Sequence, residues 1–376
     1  MYQGHELAEV LSTLKEQHTQ KRDFYVPGQK MRMNILDDGK AQMSFESKEH
    51  GLLEFDIADR FHKQAADNLG IPYKYYCSMK ENKPVLLAQN VNAWLEDKSN
   101  NYLFRSFARE DGNLARALLS EKYRRMDNMQ IAVNLLPEFL KIDELKVLSC
   151  EVTEDNLYIK LVNQRVQTDI RKGDTVQAGI VISNSEVGLH AVTIQPLLYR
   201  LVCTNGMIVN SLATRKYHVG RRFDDLIEMG MLSEQTMDLD DRALFSKLKD
   251  VAHFAVSEAG LERSAEALKI AADLPIVGKA KDVVELTSKN FNLTESEQDE
   301  ILENLIRDAD MSLYGLGNAI TKTSQSAENY ERATELEKIG WNVTTMNSRM
   351  WHYINTTNPK ALKKRTSSSL LDESAA

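Results

Sequence analysis

Arg200, Arg215, Lys216, Arg221 and Arg222 fall between Val187 and Phe223, in a window that contains no Asp or Glu. At the overall acid frequency of the chain, about five acids are expected there. Cations kept clear of carboxylates and interleaved with Tyr199, Tyr217, Asn205 and Gly206 suit a phosphate-bearing partner, since nothing nearby repels it. A buried strand followed by a basic surface loop has the same composition, and both readings stand at this point. Arg215, Lys216, Tyr217, Arg221 and Arg222 favour the functional one. Closely spaced like charges repel one another unless a ligand neutralises them, and Gly220 lets the loop follow that ligand. A second group lies upstream in RALLSEKYRRMDN, where Lys122, Arg124 and Arg125 surround Tyr123. A ring flanked by cations can stack a base and neutralise its phosphate; the alternative is an inward-facing Tyr123 with solvated cations. A third group joins Tyr199 and Arg200 to Thr204-Asn205-Gly206, where an Asn-Gly turn exposes backbone N–H groups beside the guanidinium. A plain turn at a strand end is the alternative there.

Motifs for bond-making chemistry do not match. The histidines at 5, 18, 50, 62, 190, 218, 253 and 352 make no His-x-x-x-His pair, so a zinc hydrolase helix is not supported. Gly315 and Gly317 lack a preceding strand and the third glycine of a dinucleotide fingerprint, and Gly278-Lys279 lacks the upstream glycine of a phosphate loop. Asp238, Asp240 and Asp241 read as carboxylates placed before a helix, where they offset the positive end of its dipole, rather than as magnesium ligands. No Gly-x-Ser-x-Gly elbow is present. The expectation is a protein that is not an enzyme, with no cofactor and no metal.

Composition narrows the partners. The 376 residues are 42% hydrophobic and 27% charged, with a net charge of −8. A chain this acidic does not coat duplex DNA indiscriminately, because nonspecific affinity comes from many Lys and Arg displacing counterions; any nucleic-acid contact is local. Cys77, Cys150 and Cys203 are odd in number and far apart, which suits reduced, buried thiols. No run has the length of a membrane span, and the N-terminal MYQGHELAEVLSTLKEQ carries charges where a signal peptide needs apolar residues. A cytoplasmic location is expected.

The elements that must position these groups follow from periodicity. Leu7, Val10, Leu11 and Leu14 make one apolar stripe on a first helix. Alternation from Met31 to Ile35 and from Ala41 to Phe45, around Asp37-Asp38-Gly39, predicts a hairpin. A helix over Asp59–Leu69 stops at Gly70, and another fits Val85–Leu95. Strands are expected over 145–151, 157–162, 175–183 and 187–194, an antiparallel meander that Gln195-Pro196 breaks, with 197–202 a fifth strand or a short helix. From about Arg222 the pattern is helical: Leu244, Leu248, Val251 and Ala255 share a face in a run reaching about Ala272, and Pro275 and Gly278 mark a break. Thr294 and Glu297 form a capping box, and a further helix is expected after Gly317. The fold class is thus α+β, an antiparallel meander sheet packed by helices with a mainly helical C-terminal region. Four regions are expected: 1–110 with the hairpin, 111–222 with the central sheet, 223–356 helical, and 357–376 a flexible tail.

The segment RALLSEKYRRMDN, the NSEVG turn followed by YRLVCTNGMIV, the helix end NLGIPYKYY and the late LYGLGNAITKTSQ resemble the phage- and plasmid-borne family labelled domain of unknown function 932. The resemblance spans roughly 51–341 and is densest over 183–208. It implies a mobile-element context, cytoplasmic action and no established cofactor. By fold-level analogy, phage and plasmid proteins with a meander leading into helices include ring-forming single-strand annealing proteins. The expected function is therefore a single-stranded DNA-binding, strand-annealing recombination protein without a catalytic centre, acting as a homo-oligomer. Lys122, Arg124, Arg125, Arg200, Arg215, Lys216, Arg221 and Arg222 would grip phosphates, Tyr123, Tyr199 and Tyr217 would stack on bases, and Asn205 would shape the turn. The alternative is a non-enzymatic phage interaction or assembly protein, such as a host-takeover factor, whose C-terminal helices carry the contacts.

Overall fold

The computed structural model describes residues 2–209 and 233–359. Helix α1 (Leu7–Gln20) buries Val10 and Leu14 from its apolar stripe and leads directly into β1 (Lys21–Pro27). Strands β2 (Arg32–Ile35) and β3 (Ala41–Ser47) pair as the expected hairpin, and Gly39 takes φ +85° in the turn, a conformation open to glycine because it lacks Cβ. After β4 (Gly51–Ile57), helix α2 (Asp59–Leu69) ends at the left-handed Gly70 as its sequence predicts. Helices α3 (Tyr73–Asn82) and α4 (Pro84–Glu96) follow, then a hairpin of β5 (Asn101–Arg109) and β6 (Gly112–Ser120) that spans residues 110 and 111. These strands form one sheet in the order β1-β5-β6-β4-β3-β2, in which β4 and β6 run parallel. One face buries Phe45, Phe55 and Phe104 against Phe61 of α2 and Leu87 and Val91 of α4. Edge strand β2 is covered rather than bare: the Asn92 side chain accepts from Met33 N–H (2.7 Å) and donates to Met33 C=O (2.9 Å).

Helix α5 (Asn128–Phe139) opens the second half, followed by an antiparallel sheet of β7 (Leu145–Val152), β8 (Leu157–Arg171), β9 (Asp174–Asn184), β10 (Thr193–Arg200) and β11 (Asn205–Ile208). This is the expected meander with one change of register. Residues 187–192 are a loop, and a single strand runs through Pro196. Val209 N–H donates to Pro196 C=O at 2.8 Å, so the missing N–H of the proline faces the end of the β11 ladder rather than β9, and the pairing with β9 continues through it.

Helix α6 (Glu234–Ala255) starts earlier than its carboxylates suggested. Asp240 and Asp241 lie within its first two turns, and Ser233 is its N-cap. The expected single helical run to Ala272 breaks at Val256-Ser257, where Ser257 caps α7 (Glu258–Ala272). Beyond it come α8 (Ala280–Phe291), α9 (Glu295–Asp308) with the Thr294/Glu297 capping box, α10 (Leu313–Thr323), α11 (Tyr330–Thr344) and α12 (Ser348–Thr356). Gly315 and Gly317 sit inside α10 and do not precede it. A Cβ on Gly317 would lie 1.9 Å from Thr344 Oγ1 and 3.0 Å from the Gly340 carbonyl, so glycine there permits the close approach of α10 and α11. Helices α1, α5 and α6 pack with Ile159, Leu161, Ile180 and Ile182 on one face of the second sheet. On the alternate face of β8, Tyr158 and Lys160 meet Tyr330 and Glu337 of α11. No helix among the described residues is long and apolar enough to cross a membrane.

Candidate functional site at the junction of the two sheets

The face of the first sheet opposite its phenylalanine core carries Lys21 and Asp23 of β1, Arg105 in the middle of β5 and Arg116 in the middle of β6. Their partners come from the second half of the chain. Glu186, in the turn after β9, is 3% exposed. It accepts from Lys21 Nζ (2.9 Å), Arg116 Nη1 (2.9 Å) and the backbone N–H of Asn128 (2.8 Å). Asp127, just before α5, takes Arg105 Nη2 at 2.7 Å and Lys21 Nζ at 3.2 Å. Arg105, fully buried, also reaches Asp23 (3.1 Å) and the Glu186 carbonyl (2.9 Å). The Arg116 guanidinium lies 3.9 Å from the centre of the Phe107 ring. Burial by itself pushes the Glu186 carboxyl up, but Lys21, Arg116 and Arg105 outweigh it and hold the carboxyl at about 2. Every charge in this lattice thus has a hydrogen-bonded counter-charge, which is the condition for burying it.

The NSEVG turn is the keystone. Asn184 Nδ2 donates to Met126 C=O (3.0 Å) and Asn128 Oδ1 (2.8 Å), Ser185 Oγ donates to Asp155 C=O (2.8 Å), and Gln64 Nε2 donates to Val187 C=O (2.7 Å). Gly188 has φ +83°, and a Cβ there would meet Leu119 Cδ2 at 2.5 Å. Two segments singled out by resemblance, RMDN and NSEVG, therefore join one sheet to the other.

The expected phosphate-gripping residues have different surroundings. Tyr123, read as a stacking ring, packs inward with Leu103, Ala117, Leu119 and Val187, and its hydroxyl donates to Ser185 C=O at 3.1 Å. Arg124 is bound through two guanidinium nitrogens to Asp240 and Asp241 of α6. Arg125 stays half exposed, 3.7 Å from Asp23 and 5.9 Å from the centre of the Tyr25 ring. Lys122 is exposed, with its backbone N–H on Ser120 Oγ at 3.2 Å. Arg200 holds Asp174 with two bonds of 2.6 and 2.9 Å. Asn205 is buried, and its amide donates to Thr321 Oγ1 and to Asn318 C=O (3.4 Å). Tyr199 is half-buried and lines a cavity of about 600 Å³ with Tyr2, Gly4, His5, Ser149 and Thr204. Arg215, Lys216, Tyr217, Arg221 and Arg222 lie outside the described residues. Among the described candidates the fold thus gathers two separate groups, Lys122–Arg125 before α5 and Tyr199–Asn205 at the β10–β11 turn. The absence of acids near Arg200 in sequence is answered in space by Asp174, 26 residues away.

Lys21, Asp23, Arg105 and Arg116 were missed as members of this site. One signal was available: Arg105 interrupts the apolar strand YLFRSF, and a charge in such a run needs a buried partner.

Comparison with curated proteins and with solved structures returns no match. Residues 119–230, which contain Tyr123–Asn128, the 184–188 turn, Arg200 and Asn205, match the family model described as Domain of unknown function (DUF932).

Proposed function

We propose that the protein works without chemistry of its own, as an assembly protein that associates with other protein, copies of itself first, through its helical C-terminal region. The supporting observation is a bare apolar ridge. Backbone bonds from Ile276 N–H to Met311 C=O (2.9 Å) and from Leu313 N–H to Leu274 C=O (2.8 Å) bring 274–277 alongside 311–313. There Leu274, Val277 and Met311 stand 37%, 70% and 40% exposed. Grouped apolar side chains on a folded surface mark contact sites for other protein. The described cations lean the same way, because Arg124 and Arg200 already have carboxylate partners within the fold. Light scattering on the full chain and on the surface variant Val277→Glu with Met311→Glu tests the reading. An oligomer that the double variant dissociates is expected, and a monomer at all accessible concentrations sinks it.

Single-stranded nucleic acid, with strand annealing as the outcome, is the second reading, and the Tyr25–Arg125 pair favours it. Around the lattice, the four cations Lys21, Arg105, Arg116 and Arg125 meet the three acids Asp23, Asp127 and Glu186, which leaves one positive charge over. That surplus is borne at the surface by Arg125, beside a Tyr25 ring that is 51% exposed. A cation over an exposed ring suits a stacked base and its phosphate. Fluorescence anisotropy with a labelled oligonucleotide across a salt series separates the readings. Binding that weakens with salt, with a log–log slope reduced by about one in Arg125→Ala, supports nucleic acid. No binding at low salt removes it.

A further inference from the structure

A small internal space lies between the β10–β11 hairpin, α7 and α10. It measures about 10 Å³, and Leu198, Met207 and Leu268 supply apolar walls. Asn205, Tyr314 and Asn318 line it as well, and they are 1%, 1% and 4% exposed. Each of the three carries a buried polar atom that no group of the fold completes: Asn205 Oδ1, the Tyr314 hydroxyl and Asn318 Nδ2. The Asn205 amide is fixed in its orientation. Its Nδ2 donates to Thr321 Oγ1 and to Asn318 C=O (3.4 Å), so reversal would set Oδ1 against a carbonyl oxygen. Asn318 and Asp174 lie beside the Tyr314 hydroxyl, but neither meets it in hydrogen-bonding geometry. Asp174 is engaged instead by Arg200 Nε (2.6 Å) and Nη2 (2.9 Å). Three open polar atoms on buried residues around one enclosed space cost stability unless something held there completes them.

We propose that this space is the site of one long-lived internal water, which accepts from Asn318 Nδ2 and the Tyr314 hydroxyl and donates to Asn205 Oδ1. About three hydrogen bonds are the ordinary complement of a buried water, and a space of about 10 Å³ lies at the lower end of what one water needs. The polar atoms select the occupant. An anion is repelled by the Asn205 oxygen, which is an acceptor with no proton to give. A cation is repelled by the Asn318 N–H and by the guanidinium of Arg200, which also lines the space. Water both donates and accepts, so it completes all three groups. Of the residues around the space Arg200 alone is part-exposed, so exchange with solvent passes its guanidinium, which Asp174 holds in place. The water joins Asn205, the first residue of β11 and part of the segment that matches the DUF932 model, to Tyr314 and Asn318 of α10.

The test uses the full chain. In a crystal structure that resolves ordered solvent, a peak about 2.7–3.2 Å from all three atoms is expected. A site without such a peak, in which the Tyr314 hydroxyl bonds directly to Asn318 or Asp174, overturns the proposal. Oxygen-17 relaxation dispersion, which counts long-lived waters in solution, supplies a second readout. Asn318→Leu removes the donor and fills the space, so the count should fall by one against the native chain. Because Asn318 is buried, Tyr314→Phe provides a second variant. The ring keeps its shape and loses only its hydroxyl, so the water retains two partners and should exchange several-fold faster. A water count unchanged by Asn318→Leu, together with an exchange rate unchanged by Tyr314→Phe, overturns the proposal as well.

Discussion

Lys160 Nζ lies 2.5 Å from Glu337 Oε2, and neither side chain has any solvent exposure. The pair joins the middle of β8 to α11 across 177 residues of sequence, with the Lys160 ammonium 4.7 Å from the centre of the Tyr330 ring. Glu337 Oε1 has no hydrogen-bond partner, so Lys160 is the carboxylate's principal support.

Removal of one member of this pair leaves the other charge buried and uncompensated. Lys160→Met and Glu337→Leu should each lower stability by about 3–5 kcal/mol, whereas the double substitution should cost far less than their sum. Urea unfolding of the three variants checks this. Single losses under about 1 kcal/mol would show that the pair is dispensable.

Acid should loosen the junction of the two sheets in a defined window. The folded-state carboxyl of Glu186 is held at about 2, below its ordinary 4.5. A depressed acid contributes stability that is fully present above the unfolded value and is lost as pH falls through the folded one, here from about 4.5 to about 2. The contribution is on the order of 3 kcal/mol. Unfolding free energy measured across that range should fall in the native protein, and Glu186→Gln should flatten the slope within it. An unchanged slope in the variant contradicts the assignment.

Histidine 62 should add a separate step at higher pH. Burial, with a smaller contribution from Lys80, lowers its imidazole from 6.5 to about 4, and its Nδ1 lies 2.8 Å from the Tyr76 hydroxyl. A depressed histidine favours the fold above its unfolded value, and that support is lost as pH falls from about 6.5 to about 4. NMR titration of His62 checks the shift; a midpoint near 6.5 rejects it.

Gly317→Ala should separate α10 from α11, because the new methyl meets Thr344 Oγ1 at 1.9 Å. Overpacking of this kind costs about 1–3 kcal/mol. A thermal melt checks the loss, and Gly317→Ala combined with Thr344→Ala should recover part of it. Full native stability in Gly317→Ala would mean that the two helices have room to spare.

Arg124→Ala should cost no more than about 1 kcal/mol, since Arg124 and both its aspartate partners are partly exposed. Its effect should be local. Hydrogen exchange should quicken in the first turns of α6 while β5 and β6 keep their protection. Equal loss across the whole chain refutes a local role for the pair.

What the sequence by itself determined is whatever rests on neighbours along the chain. The Asp-Gly turn at Gly39, the stop of α2 at Gly70, the Thr294/Glu297 capping box and the buried stripe of α1 are settled by φ preferences, caps and periodicity within a few residues. The α+β character and the meander follow from the same local terms. Where local signals conflicted, packing prevailed: Pro196 stays in a strand because its absent N–H falls where β11 has ended, and Gly317 lies within a helix because α11 crosses close to it. Tertiary structure alone decided which charge meets which. Glu186 finds Lys21 across 165 residues, Arg124 finds Asp240 across 116, and Lys160 finds Glu337 across 177. The physical reason is that a cation's role depends on the carboxylate within about 4 Å of it, and no short-range pattern encodes contacts made by bringing distant strands and helices together.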